Sequence, residues 1–165
     1  GRVTSRRCGY THQAMTSPLD RDPGTRFVRR DLPADAPNVA VARADFTRWL
    51  RSVSVGEARL CDVVLAVNEA MANIAEFAYL GTTGGTCDVE AAYDRAARVL
   101  TVTVSDQGQW REPDPTCPQR HRGRGIPLMR TLSDAFIIDT SALGTSVCMR
   151  FDHVEASMRI GAGAC

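Results

Sequence analysis

The stretch that most constrains the fold is LCDVVLAVNEAMANIAEFAY, residues 60–79, because it combines a helical apolar stripe with an ordered polar row. At about 100° per residue, its apolar side chains fall on one side and predict a helix packed against a core. That stripe consists of Leu60, Val64, Val67, Met71, Ile74 and Ala78. Within about 60° of one another on the opposite side lie Asp62, Glu69, Asn73 and Glu76. Alanines flank this polar row, so a ligand or another segment could approach it closely.

Composition bounds the class of protein. The chain has 165 residues, 44% of them hydrophobic, which predicts one globular domain with a substantial core. Basic and acidic residues number 20 and 19, so the total charge does not indicate a nucleic-acid or membrane partner. Six cysteines show no zinc spacing, and we expect reduced thiols in a cytoplasmic protein. Three of them, expected to be buried, are Cys61, Cys87 and Cys148.

Every basic residue is arginine, because the chain contains no lysine. This excludes a P-loop lysine, the strand lysine of eukaryotic-type kinases and a Schiff-base lysine. If the protein binds phosphate, arginines, backbone N–H groups or a metal ion must therefore supply the positive charge.

The N-terminal half predicts a linker, a strand and two helices. Residues 1–24 are polar, arginine-rich and without periodicity, which indicates a linker or disordered tail. A short strand could occupy 25–30, and a helix over 35–53 would begin at Asp35 as its N-cap. Ser54 and Glu57 match a capping box that would open the helix of residues 60–79.

After residue 85 the period changes to two. Alternation over 87–93 and the β-branched run at 98–105 predict a hairpin. Residues 106–125 break regularity, a short helix follows over 126–133, and AFIIDT and TSVCMRF predict a last hairpin. This order predicts an α+β two-layer sandwich, with a mixed, antiparallel-rich sheet and helices packed on one face.

Three further segments carry residues suited to chemistry: SDQGQW (105–110), RGRGIPLM (122–129) and GTSV (144–147). Each alone is typical of an ordinary turn, loop or strand start. Together they suit a phosphate ligand, because glycines leading into a helix expose N–H groups at its positive end. Arginines beside this helix start add charge; they are Arg120, Arg122 and Arg124.

The polar row of the long helix complements that phosphate site. Asn73 offers a neutral oxygen to a magnesium ion already neutralised by phosphates. Glu69, one turn away, could reach a nucleophile that approaches the phosphates. Asp106, at the end of a strand, could accept a hydrogen bond from an exocyclic amine.

The order E-x-x-x-N on a helix, D-x-G after a strand, G-x-G entering a helix and G-T on a strand resembles the GHKL ATPase superfamily, or Bergerat fold. Within it, NEAMANIAEFAY is similar to the bacterial anti-sigma-factor serine/threonine kinases. The resemblance covers roughly residues 25–152, which we expect to form the ATP-binding kinase domain, followed by a tail at 153–165. Two positions depart from the family pattern: Phe77 stands where many members have histidine, and Trp110 where a second glycine is common.

The resemblance implies ATP and Mg²⁺ as cofactors and a role for each matching position. Glu69 would be the catalytic base and Asn73 the magnesium ligand. Asp106 would bind the adenine amino group, with Gly108 leaving space for the ring and Thr145 supporting the adenine end. The phosphates would lie against Arg122, Gly123, Arg124, Gly125 and Ile126.

The family also implies a biological role. Such kinases sequester a sigma factor, phosphorylate an anti-anti-sigma (antagonist) protein and commonly form homodimers, without contacting nucleic acid or a membrane. Two alternatives stay open at this point. One is a nucleotide-binding regulatory module with weak or no kinase activity, and the other is the ATP-binding domain of a sensor histidine kinase.

Overall fold

The computed structural model describes residues 25–78, 84–108 and 125–155, which contain five strands and three helices. The predicted linker at 1–24 and residues 156–165 lie outside these ranges. In chain order the elements are β1 (Arg26–Pro33), α1 (Ala36–Ser52), α2 (Glu57–Asn73), a π-helical turn (Ile74–Ala78), β2 (Thr86–Asp94), β3 (Val99–Asp106), α3 (Gly125–Leu132), β4 (Ala135–Ser141) and β5 (Gly144–Phe151).

The strands form a single sheet in the order β1-β2-β3-β5-β4, and all four pairings are antiparallel. Side chains alternate along β2, β3 and β5, so that every second residue is buried. Their buried side chains share one core with those of the helices. The predicted α+β sandwich with helices on one face is therefore confirmed, and the strands described pair only in the antiparallel sense.

The core lies between this sheet face and α1 and α2. Phe46 and Leu50 of α1, and Met149 and Phe151 of β5, are at most 1% exposed. Full burial of one such side chain stabilises the fold by about 1.5–3 kcal/mol. Beyond β5, Val154 is also completely buried and accepts a hydrogen bond from the Tyr93 hydroxyl on its carbonyl oxygen.

The start of α1 follows the sequence prediction. Asp35 is the N-cap, and its carboxylate accepts a hydrogen bond from the Asn38 backbone N–H at 2.9 Å. This bond satisfies one of the N–H groups that a helix start leaves unpaired.

The capping box predicted for α2 is wrong. Gly56 is the N-cap of α2, and no side chain caps this end. Ser54 instead has a φ of 64°, and its backbone N–H bonds to the Arg51 carbonyl oxygen. The reason is tertiary: Val53 and Val55 on either side are both buried, so the short connection turns through Ser54.

The long predicted helix differs from the prediction in three respects. Regular α-helix ends at Asn73 and continues as the π-helical turn. The buried side is wider than the predicted stripe, because α2 packs against α1, α3 and β3; it includes Val63, Ala66 and Ala70, whereas Val64 is only partly buried. Of the three cysteines expected to be buried, Cys87 is buried, Cys148 is half-buried and Cys61 is exposed.

None of the helices in the described residues is both long enough and apolar enough to cross a membrane.

Candidate functional site

The start of α3 lies directly against two members of the polar row on α2. A Cβ atom placed on Gly125 would be 3.2 Å from the amide nitrogen of Asn73, 3.3 Å from its amide oxygen and 3.3 Å from Oε2 of Glu69. A methyl group at this position would require both side chains to move. Glycine is therefore what allows the first turn of α3 to approach the Glu69–Asn73 pair so closely.

This contact places a carboxylate and an amide beside a helix N-terminus. The first N–H groups of a helix have no intrahelical partner, and they carry the positive end of the helix dipole. Glu69 and Asn73 are half-buried, and within the described ranges neither side chain has a hydrogen-bond or ion-pair partner. The polar atoms gathered here are thus those expected of a site for an anion and its counter-ion.

The polar row divides into two parts in the structure. Asp62 is 3.5 Å from a guanidinium nitrogen of Arg59, so it belongs to an ion pair at the beginning of α2. Glu76, in the π-helical turn, is exposed. Glu69 and Asn73 are the members of the row that lie against Gly125 of α3, and the helical wheel alone could not separate them from their neighbours.

A second group forms where β3 ends beside the start of β5. Asp106 pairs in register with Thr145, and both are buried, at 9% and 8% exposure. The Gly108 backbone N–H donates a 2.7 Å hydrogen bond to the Asp106 carboxylate. Burial raises the pKa of Asp106 above its ordinary value, although hydrogen bonds from the Gly108 and Thr145 backbones act in the opposite direction.

The two groups lie on the same side of the sheet. Asp106 continues the buried alternation of Leu100, Val102 and Val104 along β3, so its side chain points to the helix-covered face. α2 packs against β3 on that face. The fold therefore places the Glu69–Asn73–Gly125 contact and the Asp106–Gly108–Thr145 group on the same side of the sheet, although their members are separated by up to 76 positions in the sequence. Ile126 is half-buried in the first turn of α3.

Sequence reasoning included Gly144 in the GTSV segment but gave it no role. This residue has a φ of 133°, and a Cβ placed on it would lie only 1.9 Å from the backbone oxygen of Asp106. Its position just before Thr145, in a predicted hairpin, was the feature of the sequence that could have drawn attention to it. The contact with Asp106 depends on strand register, which a local pattern does not reveal.

Several predicted positions cannot be placed. Arg122, Gly123 and Arg124 lie outside the described residues, as does Trp110, and nothing is described of the Phe77 side chain. Their roles remain predictions from the sequence.

Comparison with known proteins identifies a family and a shared fold. Residues 32–151 match the family described as the histidine kinase-like ATPase domain. A crystal structure of the RsbU and RsbW domains of Rv1364c from Mycobacterium tuberculosis aligns over 81% of this chain with a TM-score of 0.62 and 21% identity. This chain spans about a third of that one (34%), and the likeness shows a shared fold.

Two further structures are more distant. The blue-light activated histidine kinase EL346 from Erythrobacter litoralis aligns over 59% of this chain and 31% of its own, with 20% identity and a TM-score of 0.48. Its histidine kinase domain aligns over 69% of this chain and 60% of its own, with 16% identity and a TM-score of 0.47. Because the family match spans most of the sequence, the chain belongs to the histidine kinase-like ATPase domain family.

Proposed function

We propose that this protein binds Mg²⁺-ATP at the site formed by α2, α3, β3 and β5, and that it is a serine/threonine kinase with an anti-sigma role. It would sequester a sigma factor and phosphorylate an antagonist (anti-anti-sigma) protein, as a cytoplasmic homodimer without nucleic-acid contact. The observation that carries the proposal is the close packing of Gly125 on Glu69 and Asn73. The RsbW domain in the structural neighbour from Mycobacterium tuberculosis agrees with the anti-sigma assignment.

The residues present suit Mg²⁺-ATP. The Asn73 side-chain oxygen is a neutral ligand of the kind that magnesium accepts when phosphates supply the negative charge. Gly125 leaves the room that a Cβ would fill, and Gly125 and Ile126 offer backbone N–H groups at the start of α3. When bound, Mg²⁺-ATP would supply the transferable phosphoryl group and the cation that neutralises its charge. Arg122, Gly123 and Arg124 are proposed to contribute to the same end of the site.

Glu69 would do the acid–base work. Its carboxylate is half-buried beside the α3 start, where it would orient an incoming serine hydroxyl and accept its proton. General-base help of this kind is typically worth about 10²–10⁴-fold in rate. Most of the remaining acceleration in phosphoryl transfer comes from positioning and charge neutralisation rather than covalent chemistry.

Asp106 would determine which nucleotide base the site binds. Buried and held by Gly108, its carboxylate can accept a hydrogen bond from the exocyclic amine of adenine, while Thr145 supports that end. Guanine presents a carbonyl at the corresponding position, and two acceptors facing each other without a proton are costly when buried. The site should therefore prefer ATP to GTP.

Phosphorylation would act on the partner through charge. A phosphoserine carries about −1.5 to −2 charges at neutral pH, which is enough to disrupt an interface by repulsion and desolvation. Transfer to an antagonist would thus change which partner this protein binds.

The test of the proposed function has two parts. Mg²⁺-ATP at 100 times its dissociation constant should stabilise the native protein by about 2.7 kcal/mol, and less when EDTA is present. This is read as a rise in melting temperature. Incubation with Mg²⁺-ATP and candidate antagonist proteins should then add one phosphate to a partner, read by intact mass. An unchanged melting temperature at millimolar nucleotide would contradict ATP binding, and stabilisation without transfer to any antagonist would contradict the kinase assignment.

The raised pKa of Asp106 predicts a pH dependence of adenine binding. Its carboxylate gains a proton at higher pH than an exposed aspartate, whose pKa is about 3.9. As pH falls through this raised pKa, the acceptor for the adenine amine is lost and the affinity should decrease. Adenosine is the suitable probe because it has no phosphate to titrate, and its affinity can be followed by NMR titration. The decrease should be smaller in Asp106→Asn, where only the protonation of adenosine itself remains; an identical pH profile in both proteins would rule out Asp106 as the titrating group.

A further inference from the structure

Arg59, in the first turn of α2, joins three elements through one guanidinium group. Its nitrogens contact the Asp134 carboxylate, the Leu132 carbonyl oxygen at 3.5 Å and the Asp152 carbonyl oxygen at 3.3 Å. Leu132 is the last residue of α3, Asp134 precedes β4, and Asp152 follows β5. The Arg59 side chain is only 26% exposed, so these contacts are partly shielded from water.

Asp134 is itself fixed on the other side. Its carboxylate accepts a 2.8 Å hydrogen bond from the Asp152 backbone N–H, and its own N–H donates to the Arg150 carbonyl oxygen at 2.8 Å. The Arg59 guanidinium also lies 6.0 Å from the centre of the buried Phe151 ring. Because one backbone bond holds the Asp134 carboxylate and another holds its main chain, Arg59 meets a partner with little freedom to move.

These contacts hold the C-terminal end of a short helix. α3 has eight residues, which makes it about 12 Å long. Its last carbonyl groups carry the negative end of the helix dipole, so the Arg59 cation is also favourable there. Arg59 and the Glu69–Asn73 pair both belong to α2, and α3 is therefore positioned against the same helix at both of its ends.

Because α3 is short, a small rotation at its C-terminal end changes the position of its first residue relative to the site. A rotation of α3 by about 10° around its C-terminal end would move its start by about 2 Å. Gly125 lies so close to Glu69 and Asn73 that such a shift would either collide with them or open the contact. Displacements of about 1 Å in a reacting geometry can cost about 10²-fold in rate.

We infer that Arg59 is a positioning residue: by holding the end of α3 through Asp134 and Leu132, it sets where Gly125 lies on Glu69 and Asn73. The role of this contact in nucleotide binding rests on the proposed function. Adenine recognition should not depend on it, because Asp106 and Thr145 belong to the sheet.

The first test compares two ligands. Arg59→Met keeps the aliphatic stem and removes the guanidinium; its affinity for Mg²⁺-ATP should fall about tenfold or more, whereas its affinity for adenosine stays at the wild-type value. Asp134→Asn should act in the same direction. The double variant should lose no more than Arg59→Met alone, because Arg59→Met already removes the contact with Asp134. The control is Arg51→Met, which removes the same charge from a pair with Glu57 between α1 and α2 and should change neither affinity. Wild-type ATP affinity in Arg59→Met, or equal losses for ATP and adenosine, would overturn the inference.

A second measurement reads α3 without nucleotide. Amide hydrogen exchange at residues 129–133, whose N–H groups bond to α3 carbonyl oxygens one turn earlier, should be faster in Arg59→Met and Asp134→Asn than in the wild type or Arg51→Met. Denaturant midpoints are recorded for each protein. Unchanged exchange would overturn the positioning role even if ATP binds. Failure of the wild-type protein to bind ATP or adenosine would instead refute the proposed function and the link to the nucleotide, while the exchange result still decides whether Arg59 positions α3.

Discussion

Replacing Glu69 with alanine should lower phosphoryl transfer to an antagonist by about 10²-fold or more, while the affinity for Mg²⁺-ATP changes little. The reason is that a general base acts on the incoming hydroxyl in the transition state and contributes little to holding the nucleotide. Glu69→Gln should give the same loss, and it keeps the side-chain volume that packs against Gly125. Calorimetric titration and a phosphotransfer assay measure the two quantities separately.

Asn73→Ala is the matched control, because Asn73 contacts Gly125 from the next turn of the same helix. Loss of the magnesium ligand should weaken Mg²⁺-ATP binding itself, so its effect appears in the titration. Full transfer by Glu69→Ala would show that the carboxylate is not the base. If both variants bind and transfer normally and change stability by only about 0.5 kcal/mol, the polar row is an ordinary solvated surface.

Gly144→Ala should destabilise the fold by about 3 kcal/mol or more. The new Cβ would lie 1.9 Å from the Asp106 backbone oxygen, and the φ of 133° is itself unfavourable for any side chain. Because the clash is with backbone, no rotamer change can relieve it; the β3–β5 pairing beside Asp106 must shift. We therefore expect a lower denaturant midpoint and, in the protein that remains folded, weaker adenosine binding.

Gly84→Ala separates the two causes of that destabilisation, which are the clash of the new Cβ and the unfavourable φ. Gly84 also has a positive φ, of 83°, but a Cβ placed there would meet nothing within 4 Å. Its replacement should cost only the backbone strain, about 1–2 kcal/mol. If the two substitutions lower the free energy of unfolding equally, the close approach of Gly144 to Asp106 does not add to the destabilisation.

Elements with a local cause could be predicted from the sequence. Alternation with period two predicted β2 and identified the buried residues Cys87, Val89, Ala91 and Tyr93. A β-branched run predicted β3. Asp35 was recognisable as an N-cap because a cap is determined by residues within one turn. The last hairpin was equally clear, since its turn residues separate two runs of strand-forming side chains.

Features with a tertiary cause were missed. Ser54 looks like a capping residue, yet burial of Val53 and Val55 gives it a positive φ and leaves Gly56 as the cap. The close approach of Gly125 to Glu69 joins residues 56 positions apart, so only the folded chain could show it. Spacing on one helix likewise could not reveal that Asn73 and Glu69 meet Gly125 of α3.

The central claim is that Glu69, Asn73, Asp106, Gly125 and Thr145 form one nucleotide site, and hydrogen exchange with and without saturating Mg²⁺-ATP tests it most directly. We expect slower amide exchange in four places together: the C-terminal end of α2, the end of β3, the first turn of α3 and the start of β5. Exchange in β1 and the start of α1 should serve as an unchanged internal reference. Protection confined to other segments, or no protection at nucleotide concentrations that saturate related ATPases, would contradict the site described.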